Sequence, residues 1–162
     1  MVATAGLFAP SIHFHNETFY ILCTNTINDG KTIQTMNFYI TCNDIWENNW
    51  SDPIYIDFSG IDPSFFFEDG RAYVQGSFRL HPLKQDGCVI KQFEIDIETG
   101  KSISDTNTIW DGHAKIHSEG PHIYKKDGWY YLLIAEGATF EHHMLTIARS
   151  KNIWGPYASY EQ

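Results

Sequence analysis

Three stretches align without a gap: Ala9–Tyr20 (APSIHFHNETFY), Asp62–Tyr73 (DPSFFFEDGRAY) and Gly120–Tyr131 (GPHIYKKDGWYY). Each carries a proline at its second position (Pro10, Pro63, Pro121), an apolar residue two positions later and a turn dipeptide six positions later (Asn16-Glu17, Asp69-Gly70, Asp127-Gly128). An Asp-Gly pair between two β-rich runs supplies the positive φ angles of a tight primed turn, so each stretch reads as a β-hairpin. The proline is expected at a strand start, where its missing N–H costs no ladder bond.

Working outward, each hairpin is followed by a third alternating run: Met36–Cys42, Val89–Asp96 and Met144–Ser150. A fourth short strand is expected at Asp52–Asp57, at Thr106–Asp111 and around Tyr157. The proline-to-proline spacings are 53 and 58 residues, and no helical periodicity competes. Units of four short strands at that period point to propeller blades, with a sandwich of similar hairpins as the alternative. The expected fold is all-β: about three blades of four-stranded antiparallel sheet, roughly 6–58, 59–112 and 113–162, within one domain over 1–162. Propellers close with about four to eight blades. Three units leave an open arc, so the chain reads as an incomplete ring.

Composition agrees. Of 162 residues, 43% are hydrophobic, 19% charged and 15% aromatic, a folded and strand-favouring mixture. The formal charge of -9 and the scatter of the 11 basic residues exclude a phosphate-tracking surface, so no nucleic-acid partner is expected. No run is long and apolar enough for a membrane span, and the N-terminus lacks the basic start of a signal peptide. The two glycosylation sequons, Asn16-Glu17-Thr18 and Asn49-Trp50-Ser51, leave the compartment open. Cys23, Cys42 and Cys88 read as buried small hydrophobes rather than a disulfide framework or zinc site.

Site residues are expected where inner strands open onto a propeller channel, just before the shared prolines. That neighbourhood holds Ala9, Asp62 and, one residue earlier in its repeat, Glu119. Two carboxylates from different blades would converge near the axis, and paired carboxylates are what glycoside hydrolysis requires. Read singly, Asp62 is equally a strand-start cap and Glu119 a surface residue.

His117-Ser118-Glu119 mimics the His-x-Glu of zinc deaminases, but no Pro-Cys-x-x-Cys follows. Glu119-Gly120-Pro121-His122 has a ligand spacing that works only on a helix, which Gly-Pro forbids. No metal and no cofactor are therefore expected. His143 and Arg149 are placed on a strand adjoining the Glu119 hairpin, within reach of a polar ligand.

Residues 60–75 (GIDPSFFFEDGRAYVQ), 118–157 (SEGPHIYKKDGWYYLLIAEGATFEHHMLTIARSKNIWGPY) and 6–24 (GLFAPSIHFHNETFYILCT) resemble glycoside hydrolase family 43, which contains β-xylosidases and α-L-arabinofuranosidases. The resemblance covers nearly the whole chain. It implies a five-bladed propeller and inverting hydrolysis of an oligosaccharide or small glycoside by three acidic residues. By the same resemblance, Glu119 matches the general acid, and Asp62 the residue that orients this acid and raises its pKa. His143 matches a pocket-shaping histidine, and Phe8 an aromatic that packs against a sugar ring. The family's general base is an Asp in an Asp-Pro element of an earlier blade, and Ala9-Pro10 stands in the equivalent slot here. Ala138 replaces a common Gly. A chain with the acid and no base is expected to turn over poorly, which keeps a sugar-binding propeller without catalysis, or an inactive fragment, as alternatives.

Overall fold

The computed structural model describes residues 4–28, 30–80, 87–139 and 141–159, and the expected end of the third blade at 160–162 lies outside them. Twelve strands form three four-stranded antiparallel sheets, and no helix occurs among the described residues. The first sheet holds β1 (Thr4–His15), β2 (Thr18–Asn28), β3 (Ile33–Cys42) and β4 (Ile54–Ile56). The second holds β5 (Ile61–Glu68), β6 (Arg71–Arg79), β7 (Cys88–Ile95) and β8 (Asn107–Trp110). The third holds β9 (Glu119–Lys126), β10 (Trp129–Glu136), β11 (Met144–Ser150) and β12 (Ala158–Ser159). Each sheet is a simple meander in chain order, the arrangement of a propeller blade.

The three hairpin turns have the expected form. Asn16 and Glu17 (φ 46° and 58°), Asp69 and Gly70 (49° and 75°), and Asp127 and Gly128 (51° and 70°) all take the left-handed conformation of a primed turn.

The prolines are not at strand starts. Each lies inside its strand, in a β-bulge. The register advances three residues from Phe8 to Ser11 while the partner strand advances two, from Thr24 to Leu22. The same slip recurs between Ile61 and Ser64 and between Glu119 and His122. In all three the residue before the proline is left-handed: Ala9 at φ 33°, Asp62 and Gly120 at 56°. The bulge absorbs the proline's missing donor and turns the strand end, a device frequent beside active sites.

The core lies between blades, not within them. Leu22, Tyr39 and Ile56 of the first sheet pack with Phe65, Val74 and Phe93 of the second. Tyr73, Ile90 and Ile109, from the opposite face of the second sheet, pack with Ile123, Leu132 and Ile134 of the third. The middle sheet is therefore covered on both faces, and β6 is buried at every position from Ala72 to Ser77. Fully burying such a side chain contributes about 1.5–3 kcal/mol, so alternation along β6 and β7 serves two interfaces at once.

Polar ties cross the same interfaces. The Ser11 hydroxyl donates to the Pro63 carbonyl at 2.8 Å, and the Ser64 hydroxyl donates to the Pro121 carbonyl. The serine after one blade's proline thus holds the proline of the next. At the other end of β5, Lys125 and the Tyr130 hydroxyl both bond the Glu68 carboxylate. All three cysteines are buried and free, as expected.

Candidate active site

Asp62 and Glu119 open neighbouring inner strands, β5 and β9, at the bulged ends. A buried network in the first two blades positions Asp62. The Thr24 hydroxyl donates to Asn37 Oδ1 at 2.6 Å, and Asn37 Nδ2 donates to the carbonyls of Phe58 and Gly60 at 2.7 and 2.9 Å. Thr24 Oγ1 in turn accepts the Asp62 amide at 3.2 Å. On the side-chain end, Asp62 Oδ2 accepts the Gly120 amide at 3.1 Å. Asp tolerates the left-handed region better than most residues, which suits it to this bulge position.

Burial and the nearby Glu119 charge push the Asp62 carboxyl up to about 6, against the pull of the Gly120 amide. Burial also raises Glu119, while His117, Arg79 and His143 act in the opposite direction. The Glu119 charge thus disfavours the ionised form of Asp62, and the two carboxyls together hold a proton at pH values where an exposed carboxyl has lost it.

The loop leading into Glu119 is organised by Glu136, a carboxylate with no solvent exposure at the end of β10. It accepts the amides of His113, Ala114 and Lys115 at 3.0, 2.8 and 3.0 Å, and the Thr146 hydroxyl at 2.6 Å. Ser77 adds a clamp, donating to the Ser118 carbonyl at 2.7 Å. The sequence reading missed Glu136, yet its signal was present. Glu136 falls in phase with Tyr130, Leu132 and Ile134, the buried alternate positions of β10.

Phe8 is on β1 and partly exposed, and its carbonyl accepts from the Cys23 thiol at 3.4 Å. His143 lies near enough to Glu119 to act on its titration, but it precedes β11 instead of sitting on it, and its ring contacts the Ala138 carbonyl. Arg149 does not join the site. It is paired with Tyr131 in the β10–β11 ladder, and its guanidinium stacks on Trp129 at 4.5 Å, next to the 127–128 turn. Alternation cannot tell which end of a blade a strand residue occupies, and the register does.

A cavity of about 510 Å³ follows the inner strands, lined by residues that include His13, His15, Phe65, Phe67, His122 and Tyr124. Asp62 and Glu119 are not in its lining. His13 Nε2 accepts the Phe65 amide at 3.1 Å, so this ring is neutral, and burial followed by the His122 charge lowers its pKa to about 4.

One cluster joins residues far apart in sequence. Cys88 Sγ, a His117 ring nitrogen and a Glu119 carboxylate oxygen all lie within 4.8 Å of one another. Cys88 opens β7 in the second blade, so no local motif could announce it.

The sequence profile of glycosyl hydrolases family 43 matches residues 1–162. The chain is 41% identical over 164 residues to a protein named xylosidase/arabinosidase 43B from Humicola insolens, covering 98% of this chain and 30% of that protein. It is 41% identical over 158 residues to a xylosidase/arabinosidase from Butyrivibrio fibrisolvens, covering 92% and 29%. The crystal structure of a xylan β-1,4-xylosidase from Bacillus halodurans superposes with a TM-score of 0.87 at 37% identity, over 96% of this chain and 30% of that one. The chain thus spans about 30% of the length of these relatives. With three meandering blades in a partial β-propeller and this match along its whole length, the chain belongs to glycosyl hydrolases family 43.

Proposed function

We propose that this chain contributes the acid half of an inverting glycoside hydrolase acting on xylosides or arabinosides. The observation that carries the reading is the coupled pair Asp62 and Glu119, delivered by two adjacent blades at equivalent bulges, with both carboxyls shifted upward. A carboxylic acid that keeps its proton towards neutral pH can protonate a departing glycosidic oxygen. Glu119 is that acid. Burial holds its carboxyl above the ordinary range, and Asp62, anchored through the Gly120 amide, stands beside it, where an ionised neighbour disfavours a second ionised carboxylate.

Phe8 packs against the sugar face, and His143 shapes the pocket beside Glu119. The substrate is an oligosaccharide or small glycoside; the relatives' names, xylosidase/arabinosidase, support its sugar class. Water attacks the anomeric carbon from the face opposite Glu119, activated by a third carboxylate; the equivalent bulge of the first blade holds Ala9. The glycosidic C–O bond breaks, the leaving oxygen takes the Glu119 proton, and the water's proton passes to that base.

Ala9 occupies the same left-handed bulge position as Asp62, and it is the observation that favours a second reading, a propeller that binds sugars without cleaving them. The test is Glu119→Gln in the whole protein carrying this chain, assayed on aryl and natural β-xylosides and α-L-arabinofuranosides. The expected result is loss of natural-glycoside turnover by about 10²-fold or more with the fold retained. Normal turnover in the variant overturns the acid assignment. Sugar binding by an inactive wild-type protein selects the second reading.

A further inference from the structure

The Cys88–His117–Glu119 cluster is not required by the two-carboxylate chemistry, and its donor types point elsewhere. A thiolate, an imidazole and a carboxylate are together a borderline-soft set, suited to zinc and poorly suited to calcium or magnesium, which take oxygen ligands. Zinc sites of the open kind use three protein ligands and leave a fourth position for water. Tetrahedral coordination at zinc's usual bond lengths places ligand atoms about 3.4–3.7 Å apart. The three atoms here all lie within 4.8 Å of one another, about 1 Å from that spacing.

The backbone around them is held. Cys88 is paired with Arg79 in the β6–β7 ladder. Ser118, between the other two ligands, is clamped by the Ser77 hydroxyl at 2.7 Å. Cys88 and His117 are buried, at 5% and 8% exposure, while Glu119 is half-buried and opens the cluster to solvent. Cys23 and Cys42 belong to no such donor group among the described residues. Burial and the Glu119 charge raise the Cys88 thiol, so ligation must displace its proton, and the positive Arg79 guanidinium, which bonds the Cys88 side chain and acts on Glu119, opposes a bound cation.

We propose that Cys88, His117 and Glu119 bind a divalent cation of borderline softness, zinc above calcium or magnesium, and that the bound ion removes the Glu119 carboxylate from proton transfer. Binding displaces the Cys88 proton and the Glu119 proton to solvent, so metal and catalytic proton compete for one oxygen. This departs from the metal-free expectation because the third ligand comes from another blade. The inhibitory half rests on the acid role proposed for Glu119; the binding half does not.

The experiment is a cobalt(II) titration of the purified chain, reading the thiolate-to-cobalt charge-transfer absorption, followed by displacement with zinc. The wild type is expected to develop the band and Cys88→Ser to lack it. Losing even an outer partner of a metal ligand costs about 10- to 100-fold in affinity, so His117→Gln should weaken binding at least roughly tenfold. Arg79→Ala, at an exposed position, should tighten it. No band in the wild type, or a band that survives in Cys88→Ser, overturns the site. Near-ultraviolet circular dichroism of each variant identifies any loss of fold, and the Arg79→Ala direction stands independently of the ligand variants. Cobalt bound to the whole hydrolase with turnover unchanged refutes the inhibition while leaving the site. An inactive wild-type protein that still shows the band removes the acid role and not the metal.

Discussion

The carboxylate of Asp62, in the second blade, accepts the backbone amide of Gly120, in the third, at 3.1 Å. The bond places a buried negative charge one residue from Glu119, and burial works against that charge. The folded-state pKa of Asp62 is about 6, above its ordinary 3.8. The sign follows from linkage: the folded protein binds the proton more tightly, so this contribution is complete below about pH 4 and is lost as pH rises through 6. Its size is on the order of 3 kcal/mol. Asp62→Asn keeps an acceptor for Gly120 and cannot ionise. Urea unfolding at pH 4 and pH 7 should show a smaller drop in stability in the variant than in the wild type. Equal drops would mean that Asp62 is ionised without cost. In the whole protein carrying this chain, if Glu119 is the acid proposed above, the same change should move the alkaline limb of the pH–rate profile downward, because an ionised neighbour is then removed.

Glu17 takes φ 58° at the second position of the first hairpin turn, where the other two blades have Gly70 and Gly128. A non-glycine residue in that region costs about 1–2 kcal/mol, partly offset by the chain entropy that glycine adds to the unfolded state. Glu17→Gly should therefore stabilise the chain by about 0.5–1 kcal/mol, seen as a higher urea midpoint at an unchanged slope. A lower midpoint would show that the exposed Glu17 side chain makes a contribution larger than the strain.

Glu136 is the anchor of the loop before Glu119. Glu136→Ala removes one buried acceptor group and leaves three amides and a hydroxyl without it. Bonds to a charged acceptor contribute about 1.5–3 kcal/mol each where the partner is then left buried. Since water can re-satisfy part of an opened loop, the expected loss is about 3 kcal/mol or more. Hydrogen exchange at Ala114 and Lys115 should accelerate well beyond the global change. Uniform acceleration across the third sheet would assign Glu136 to packing instead of loop placement.

Ser64 joins two groups: its hydroxyl donates to the Pro121 carbonyl and accepts from Gln75 Nε2 at 2.8 Å. Ser64→Ala leaves both buried partners unsatisfied and should cost about 2 kcal/mol. Ser11→Ala breaks the matching tie between the first and second blades, where the single 2.8 Å bond to Pro63 is lost, and should cost about 1 kcal/mol. Denaturant titrations of the two variants and their double mutant test this order. A larger loss at Ser11 would contradict it.

The hairpins, their turns and the three-blade count were legible because each depends on chemistry local to about ten residues. Asp-Gly turns and period-two alternation are short-range properties, and repetition multiplies the signal. The position of the prolines was read incorrectly because a bulge is a property of two strands. One strand alone does not record that its partner advances by two residues while it advances by three.

The site divides in the same way. Asp62 and Glu119 stood out because they adjoin a repeated proline, and their identification drew further on family resemblance. Glu136 was hidden among alternating apolar residues, where a buried carboxylate makes sense only once the loop that donates to it has folded back. Cys88 was hidden more deeply, 29 residues before His117 along the chain and within 4.8 Å of it in space.

The sequence by itself determined strands, turns, repeat period and the blade to which each carboxylate belongs, since these follow from side-chain alternation and backbone preference. Only the tertiary structure decided that the carboxylates are electrostatically coupled, that Arg149 turns to Trp129, and that a thiol sits beside the candidate acid. Charge interaction and desolvation depend on distances between blades, and those are set by how two sheet faces pack, which no single strand encodes.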